Sequence, residues 1–285
     1  MSRAYAEVIG DPIAQSKSPA IHGFWLSKLS IDAEYRATHV TPAGLADYFA
    51  ARRTNPDWRG CNITMPHKQA ALAYLDAVDP QAARIGAVNT VVRGADGALT
   101  GYNTDAPGFL EPLLPLLAET HLWRMARIMG AGGAARAIVT ALAAANFTLV
   151  LAARDPAKVQ ALLDELAPRG EHHAVELAHF AAPTDFAFDD RAGLLDLVVN
   201  ASPLGMAGQP PLAFDFSHAP PGSVVFDIVT NPLETPLLAQ ARQRGFTTVD
   251  GLAMLIGQAA AAFEKFFGQA APRQHDGELR ELLSQ

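Results

Sequence analysis

The sequence predicts a two-domain α/β protein, and three observations carry that prediction. Short strand-like runs alternate with helical stretches through residues 5 to 104; a strand, a glycine-rich turn, a helix and a second strand follow one another from Ala126 to Arg154; and the later apolar runs 194–200 and 223–229 lack the alternation of a half-exposed strand. Alternation of strand and helix marks sheets covered by helices. Strand, turn, helix and strand make a βαβ unit, and strands apolar at every position are buried on both faces of a parallel sheet.

In chain order, "YAEVIG" (5–10) reads as the first strand, followed by a helix from Pro19 to near Ser30. Ser18 makes a good N-cap there, because its oxygen accepts a first-turn N–H. The strand "EYRATHV" (34–40), a helix through "GLADYFAARR" (44–53) and the strands "WRGCNIT" (58–64), "AVNTVVR" (87–93) and "ALTGYNT" (98–104) follow. A helix through "GFLEPLLPLL" (108–117) is interrupted by its prolines, which lack an N–H and clash with the preceding turn. The second domain starts near Ala106 and holds "ARIMGAGGAARAIVTALAAA" (126–145), "FTLVLAAR" (147–154), "LLDLVVN" (194–200) and "SVVFDIV" (223–229). Between them, "HHAVELAHFAAPTDFAFDD" (172–190) has weak periodicity and reads as variable surface structure. "TPLLAQARQRG" reads as a helix closed by Gly245, "FTTVDG" as a strand, and the long helix that ends at Gly268 is expected to return to the first domain. The resulting domains are 1–105 with 250–285, and 106–249.

Composition narrows the classes of function. The chain has 285 residues, 49% of them hydrophobic, enough for the core of one large or two ordinary domains. Its formal net charge is −7, with Lys and Arg scattered and no basic run interleaved with aromatics, so a nucleic-acid surface finds no support. An anionic ligand needs a local basic pocket. Cys61 is the single cysteine, which excludes an internal disulfide and a multi-cysteine zinc site and fits a reducing compartment; it reads as a small buried strand residue. The N-terminal "MSRAYAEVIGDPI" lacks the apolar core of a signal peptide, and no apolar run has bilayer-spanning length. A soluble, cytoplasmic protein without membrane partners is expected.

The turn Gly130-Ala131-Gly132-Gly133-Ala134-Ala135 follows a strand and opens a helix. Glycines there permit a tight turn and let backbone N–H groups reach a pyrophosphate at the helix N-terminus, so the context points to a dinucleotide, with a plain packing turn as the alternative. The last fingerprint position is Ala135 rather than glycine. At the end of the second strand, Arg154 and Asp155 stand side by side. An arginine there pairs with the extra phosphate of NADP, whereas an acidic residue accepts from the ribose of NAD. Asp155 suits the N-cap of "PAKVQALLDEL", with Pro156 at its first position. Arg154 is therefore assigned to NADP and Asp155 mainly to capping; the alternative for Arg154 is a solvated strand-end charge.

Four clusters, "QSKSPAIH", "NITMPHK", "GAVNT" and "GYNTD", place small hydrogen-bonding residues at strand junctions: Ser16, Ser18, Asn62, Thr64, Lys68, Asn89, Thr90, Asn103, Thr104 and Asp105. Each has a local explanation, since such residues cap helices and terminate strands. If the strands are parallel, all four clusters lie at their carboxyl ends, where ligands of open α/β sheets bind, and the set suits a polyol. Apart from Lys17, Lys68 and Asp105 are the only complementary charges among them. A lysine beside a carboxylate relays a proton to or from an alcohol oxygen while hydride moves to or from a nicotinamide; the alternative is a surface ion pair. Lys68 follows Pro66 at an apparent helix start, where a lysine opposes the macrodipole unless its charge is used.

Taken in order, "GDPIAQSKSPAIH", "NITMPHK", "GAVNT", "GYNTDAPGF", "GAGGAARAI", "NASPLGM", "FDIVTNPLETPLL" and "DGLAMLIGQAAAAFEKFFG" resemble the successive motifs of the shikimate dehydrogenase family over nearly the whole chain. The resemblance implies a discontinuous α/β substrate-binding domain, from the N-terminal part and the C-terminal helices, plus a Rossmann-type NADP-binding domain. It implies Lys68 and Asp105 as the catalytic pair, and contacts from Ser16, Ser18, Asn62, Thr64, Asn89 and Gln258 to the carboxylate and hydroxyls of the substrate. Gly130, Ala131, Gly132, Gly133, Ala134 and Arg154 are implied to hold NADP, with "NASPLGM" (200–206) beside it and Gly251 near the nicotinamide. Read alone, Gln258 inside an apolar helix has no structural explanation.

The implied activity is NADP-dependent, reversible reduction of 3-dehydroshikimate to shikimate in aromatic amino acid biosynthesis, with no metal and with NAD as a weaker alternative cofactor. The rival readings are a dehydrogenase of quinate or another cyclic polyol, and a catalytically idle dinucleotide-binding regulatory protein, against which the intact Lys68 and Asp105 argue. A monomer or homodimer is expected. Four departures from the family pattern stand out: Gln15 replaces a frequent His, Gly23 stands where "SPxxHN" ends in Asn, Thr230 replaces the Tyr of "VYNP", and "NRT" appears as Ala153-Arg154-Asp155. The first three leave the catalytic pair intact and bear on substrate choice; the last bears on how strictly NADP is preferred.

Overall fold

The computed structural model describes residues 3–185 and 193–284. The described elements are β1 (Ala4–Gly10), α1 (Ser18–Lys28), β2 (Ala33–His39), α2 (Leu45–Arg53), β3 (Trp58–Ile63), β4 (Ala77–Val78), α3 (Pro80–Ile85), β5 (Thr90–Arg93), β6 (Leu99–Tyr102), α4 (Asp105–Leu110) and α5 (Leu114–Leu117). They continue with β7 (Trp123–Met129), α6 (Gly133–Ala144), β8 (Thr148–Ala153), α7 (Pro156–Leu166), β9 (His172–Glu176), β10 (Leu194–Asn200), β11 (Val224–Asp227), α8 (Pro236–Gln243), β12 (Thr247–Val249), α9 (Gly251–Phe267) and α10 (Asp276–Ser284). Contacts divide the chain into two compact units, residues 1–105 with 256–285, and residues 106–255.

The first unit is built on a sheet of order β2-β1-β3-β5-β6-β4. Strands β1, β2 and β3 are mutually parallel, but β5 runs antiparallel to both β3 and β6. The condition that the strands of this sheet be parallel thus fails at β5. The "GAVNT" cluster precedes β5 rather than following it, and reaches the same sheet edge because β5 is reversed. One face of the sheet buries Ile9, Leu45, Phe49, Trp58, Cys61 and Ile63 in a common core. Burial also pushes the Cys61 thiol up, out of reach of thiolate chemistry.

The second unit is a fully parallel sheet of order β12-β11-β10-β7-β8-β9. This is the doubly wound dinucleotide-binding order, whose strand sequence reverses between its first and fourth strands, here β7 and β10. Ile128, Leu149, Leu151, Leu197, Val199 and Phe226 are buried on one face of it and Met129, Ala152, Val198 and Val225 on the other, so the apolar runs are strands covered on both faces. The segment 172–190 is corrected as well: His172–Glu176 pairs with β8 as an edge strand and Phe180 is buried, with residues 186–190 outside the described residues. The chain re-enters the first unit at Ile256 rather than at 250. The first turn of α9 packs in the second unit, where a Cβ on Gly251 would lie 2.4 Å from the carbonyl oxygens of both Ile228 and Val229, and Met254 joins the core.

Two local readings change. The N-cap of α1 is Lys17, not Ser18, and Lys17 caps without a side-chain bond; instead Ser16 Oγ accepts from the Ser18 N–H at 3.3 Å. No α-helix starts at Lys68: a 3₁₀ turn, Ala70–Tyr74, follows, so the macrodipole gives no reason for the lysine. The proline-broken helix appears as α4, a 3₁₀ turn and α5. Asp155 caps α7 by accepting from Ala157 and Lys158 N–H groups. Among the described residues no helix is long and apolar enough to cross a membrane.

Candidate active site

Lys68 lies on the turn after β3, and two backbone ties hold that turn. The Val88 N–H donates to Lys68 O at 2.8 Å, and the buried His67 ring meets Val40 O through Nε2 at 2.6 Å. Asp105 opens α4, with its N–H bonded to Asn103 Oδ1 at 3.0 Å. The Lys68 ammonium donates to Asp105 Oδ2 at 2.5 Å, with side chains only 15% and 6% exposed. That enclosure separates the pair from an ordinary surface ion pair, which is solvated and weak.

Asn89 completes the carboxylate's surroundings. Its Nδ2 donates to Asp105 Oδ1 at 2.8 Å and lies 2.9 Å from Thr104 Oγ1 and 3.4 Å from Gln258 Oε1, while its Oδ1 accepts from the Thr104 N–H at 2.7 Å. Asn62 donates through Nδ2 to Asn89 O at 3.2 Å and to Thr90 Oγ1 at 3.0 Å. Of the residues expected to bind substrate, Asn62, Asn89 and Gln258 therefore join one buried network with Lys68 and Asp105. Among the described residues Ser16, Ser18 and Thr64 make no side-chain hydrogen bond to that network. Ser18 is buried, and Ser16 and Thr64 are half-buried. Lys17, the other cation of the clusters, donates to Leu283 O at 2.6 Å in the last turn of α10, a carbonyl that has no partner within its own helix.

Sequence reasoning missed Tyr35. Its hydroxyl donates to Asn62 Oδ1 at 2.6 Å, and its ring stacks on that of His22 with centroids 3.9 Å apart. Nothing in the local sequence of β2 signals this, because the contact crosses the intervening strand β1. Burial pushes the His22 imidazole down to about 3 from its ordinary 6.5. Below pH 6.5 the unfolded chain takes up a proton there that the folded chain refuses. The contribution of His22 to stability is therefore complete above pH 6.5 and is lost as pH falls toward 3, by at most about 1.4 kcal/mol per pH unit. The unfolding midpoint should thus drop more steeply with acidification in the wild type than in His22→Phe. Parallel slopes would show that His22 titrates normally in the native protein.

In the second unit the glycine turn leaves β7 at the strand-order reversal. Gly130 has φ +127°, and a Cβ there would lie 2.5 Å from Ala201 O, so the turn packs directly on the start of the 200–206 loop. Asn200 and Asp227 hold that loop: Asn200 Nδ2 donates to Leu204 O and Asp227 Oδ1, and Asp227 Oδ2 accepts from Thr235. Gly132 caps α6 without a side-chain bond, and a Cβ on it would meet nothing within 4 Å. Backbone N–H groups at an open helix start fit a pyrophosphate, with Ala131, Gly133 and Ala134 completing the turn. Ala135 is fully buried against the sheet, the packing role of the last fingerprint position. Arg154 is exposed just beyond β8 and, among the described residues, makes no ion pair or hydrogen bond, while Asp155 is engaged as a cap. An unengaged guanidinium there fits a 2′-phosphate. Among the described residues no group of three or more His, Cys, Asp or Glu could hold a metal ion.

A doubly wound unit with an open glycine turn, joined in one chain to an α/β unit carrying a buried Lys–Asp pair, defines a dinucleotide-linked oxidoreductase. Residues 8–91 match the shikimate dehydrogenase substrate binding domain and residues 251–275 the shikimate 5′-dehydrogenase C-terminal domain. The shikimate dehydrogenase (NADP(+)) of Sphingopyxis alaskensis is 50% identical, over 98% of this chain and 96% of its own. The chain belongs to the shikimate dehydrogenase family. Among solved structures, the Thermus thermophilus shikimate 5-dehydrogenase in complex with NADP(H) and shikimate has a TM-score of 0.79 at 34% identity, covering 98% of this chain and 99% of its own. Quinate dehydrogenase from Corynebacterium glutamicum in complex with NAD has a TM-score of 0.83 at 33% identity, with the same coverage.

Proposed function

We propose that this chain catalyses the NADP-dependent, reversible reduction of 3-dehydroshikimate to shikimate, with Lys68 and Asp105 as its proton relay. The observation that carries the relay is the enclosed 2.5 Å contact between Lys68 Nζ and Asp105 Oδ2. NADPH, held at Gly130 to Ala134 and Arg154, would supply the hydride for the ring carbonyl carbon. As the carbonyl oxygen takes up the electron pair, Lys68 gives it a proton and stabilises the developing alkoxide. Asp105 fixes the ammonium through one carboxylate oxygen, and Asn89 fixes the carboxylate through the other. The partial exposure of Lys68 lets water replace its proton. In the oxidation direction the same lysine removes the hydroxyl proton.

Ser16, Ser18, Asn62, Thr64, Asn89 and Gln258 bind the substrate's carboxylate and hydroxyls in this reading, and the unit of residues 1–105 with 256–285 is the substrate-binding domain. The unit of residues 106–255 is the NADP-binding domain, with Gly130 to Ala134 at the pyrophosphate, Arg154 at the 2′-phosphate and Gly251 near the nicotinamide. The open Gly132 and the unengaged Arg154 support the cofactor half. A cytoplasmic location accords with the lone buried thiol.

A quinate dehydrogenase is the second reading, favoured by Thr230 in place of the family tyrosine and by a quinate dehydrogenase that shares the fold. Values of kcat/KM for shikimate and quinate, each with NADP and NAD, decide between them. The highest value is expected for shikimate with NADP, and a higher one for quinate with NAD would reverse the assignment.

A further inference from the structure

We infer that Tyr35 is a positioning residue for this reaction: clamped face to face on His22, its hydroxyl fixes the Asn62 amide so that Asn62 meets the polyol as a hydrogen-bond acceptor. The inference rests on the reading of Asn62 as a substrate contact, and deepens it.

The register of the sheet makes the contact possible. Tyr35 on β2 lies beside Ala6 on β1, and Ala6 beside Gly60 on β3; two residues further on, Val8 lies beside Asn62. Side chains at paired positions of parallel strands, and at every second residue, share a face. Ala6 and Gly60 thus place no bulky side chain on the face between the phenol and Asn62. A larger residue at Gly60 is barred, since a Cβ there would lie 2.1 Å from Val91 O and 2.8 Å from Phe266 Cε1.

The phenol is held from behind. The His22 and Tyr35 rings are 3.9 Å apart and within 1° of parallel, and Trp25 and Phe263 pack against His22 at 5.7 and 5.8 Å. Both His22 nitrogens are buried and, among the described residues, have no hydrogen-bond partner. The imidazole therefore serves here as a flat neutral plate, and its cost in unsatisfied polar atoms is real. Burial holds the Tyr35 phenol protonated far above its ordinary range, so it remains a donor.

The donors and acceptors at Asn62 leave one arrangement. Asn89 O is a backbone carbonyl that can only accept, so the Asn62 atom 3.2 Å from it is the NH2. The second hydrogen goes to Thr90 Oγ1, whose own hydrogen is directed to Asn89 Oδ1 at 3.0 Å. Both amide hydrogens are spent. Oδ1 receives Tyr35 on one lone pair, and its second lone pair is the capacity left for a substrate hydroxyl. Among the described residues the phenol is the one partner of Oδ1, so without it only the two bonds of the NH2 oppose rotation of the amide.

Tyr35→Phe keeps the ring and its stack and deletes only the donor. Measured with whichever of shikimate or quinate the wild type oxidises, it should raise the polyol KM about three- to tenfold, the worth of one hydrogen bond, with the NADP KM unchanged. In an Asn62→Ala background the same substitution should change the polyol KM less than about twofold, because a residue that acts through Asn62 has nothing left to orient. An unchanged KM in Tyr35→Phe, an equal rise in the NADP KM, or an undiminished effect in the Asn62→Ala background would each overturn the inference. Turnover of neither polyol by the wild type would sink the functional reading instead. In that case the nitrogen-15 signals of the Asn62 side-chain amide, assigned by their loss in Asn62→Ala, still test the positioning: they should shift and exchange faster in Tyr35→Phe, and identical signals would refute it.

Discussion

Lys68→Ala should lower kcat by about a hundred- to ten-thousand-fold, the usual worth of general acid–base help, while moving the polyol KM far less. The ammonium is bonded to one oxygen of Asp105, whose other oxygen is bonded to Asn89. The asparagines and glutamine proposed to bind the polyol therefore keep their partners in the variant, and what the proposal loses is its proton donor at the alkoxide. Removing the cation leaves a buried carboxylate partly uncompensated, so the variant's unfolding midpoint must be measured alongside its kinetics. A folded Lys68→Ala protein with near-normal kcat would remove the lysine from the chemistry.

Arg154→Ala should lower the preference for NADP over NAD, expressed as the ratio of kcat/KM values, by about ten- to more than a hundredfold. A guanidinium on the 2′-phosphate makes charge-assisted bonds that NAD cannot make, and hydrogen bonds to charged groups contribute roughly 1.5 to 3 kcal/mol. The structure sharpens the reason. Asp155, the neighbouring candidate for reading the ribose, spends Oδ1 on the N–H groups of Ala157 and Lys158, whereas Arg154 is unengaged among the described residues. Asp155→Ser keeps a cap and removes a negative charge near the phosphate, so it should raise the preference for NADP mildly. A ratio unmoved by Arg154→Ala would make the arginine a solvated strand end.

The second unit was legible because its signals are local: a glycine turn between a strand and a helix, runs of apolar residues, and an aspartate before a proline. The candidate site was legible in composition, since Lys68, Asp105, Asn62 and Asn89 all fall at strand junctions. Its geometry was not. A period-two pattern carries no direction, so the reversal of β5, which brings Asn89 to the edge reached by Asn62, could not be read from "AVNTVVR". The capping roles of Lys17 and Ser18 differ by one position, within the uncertainty of any helix boundary. Contacts made through the fold left no trace at all: Tyr35 reaches Asn62 across β1, and Lys17 meets Leu283 from 266 positions away.

Transfer of label tests the central claim most directly. NADPH deuterated at both C4 positions of the nicotinamide is mixed with the purified protein and 3-dehydroshikimate, and the product is examined by mass spectrometry and proton NMR. Shikimate carrying one deuterium, on the ring carbon that held the ketone, is the predicted result. Consumption of NADPH without deuterium at that carbon, or no consumption at all, would contradict it.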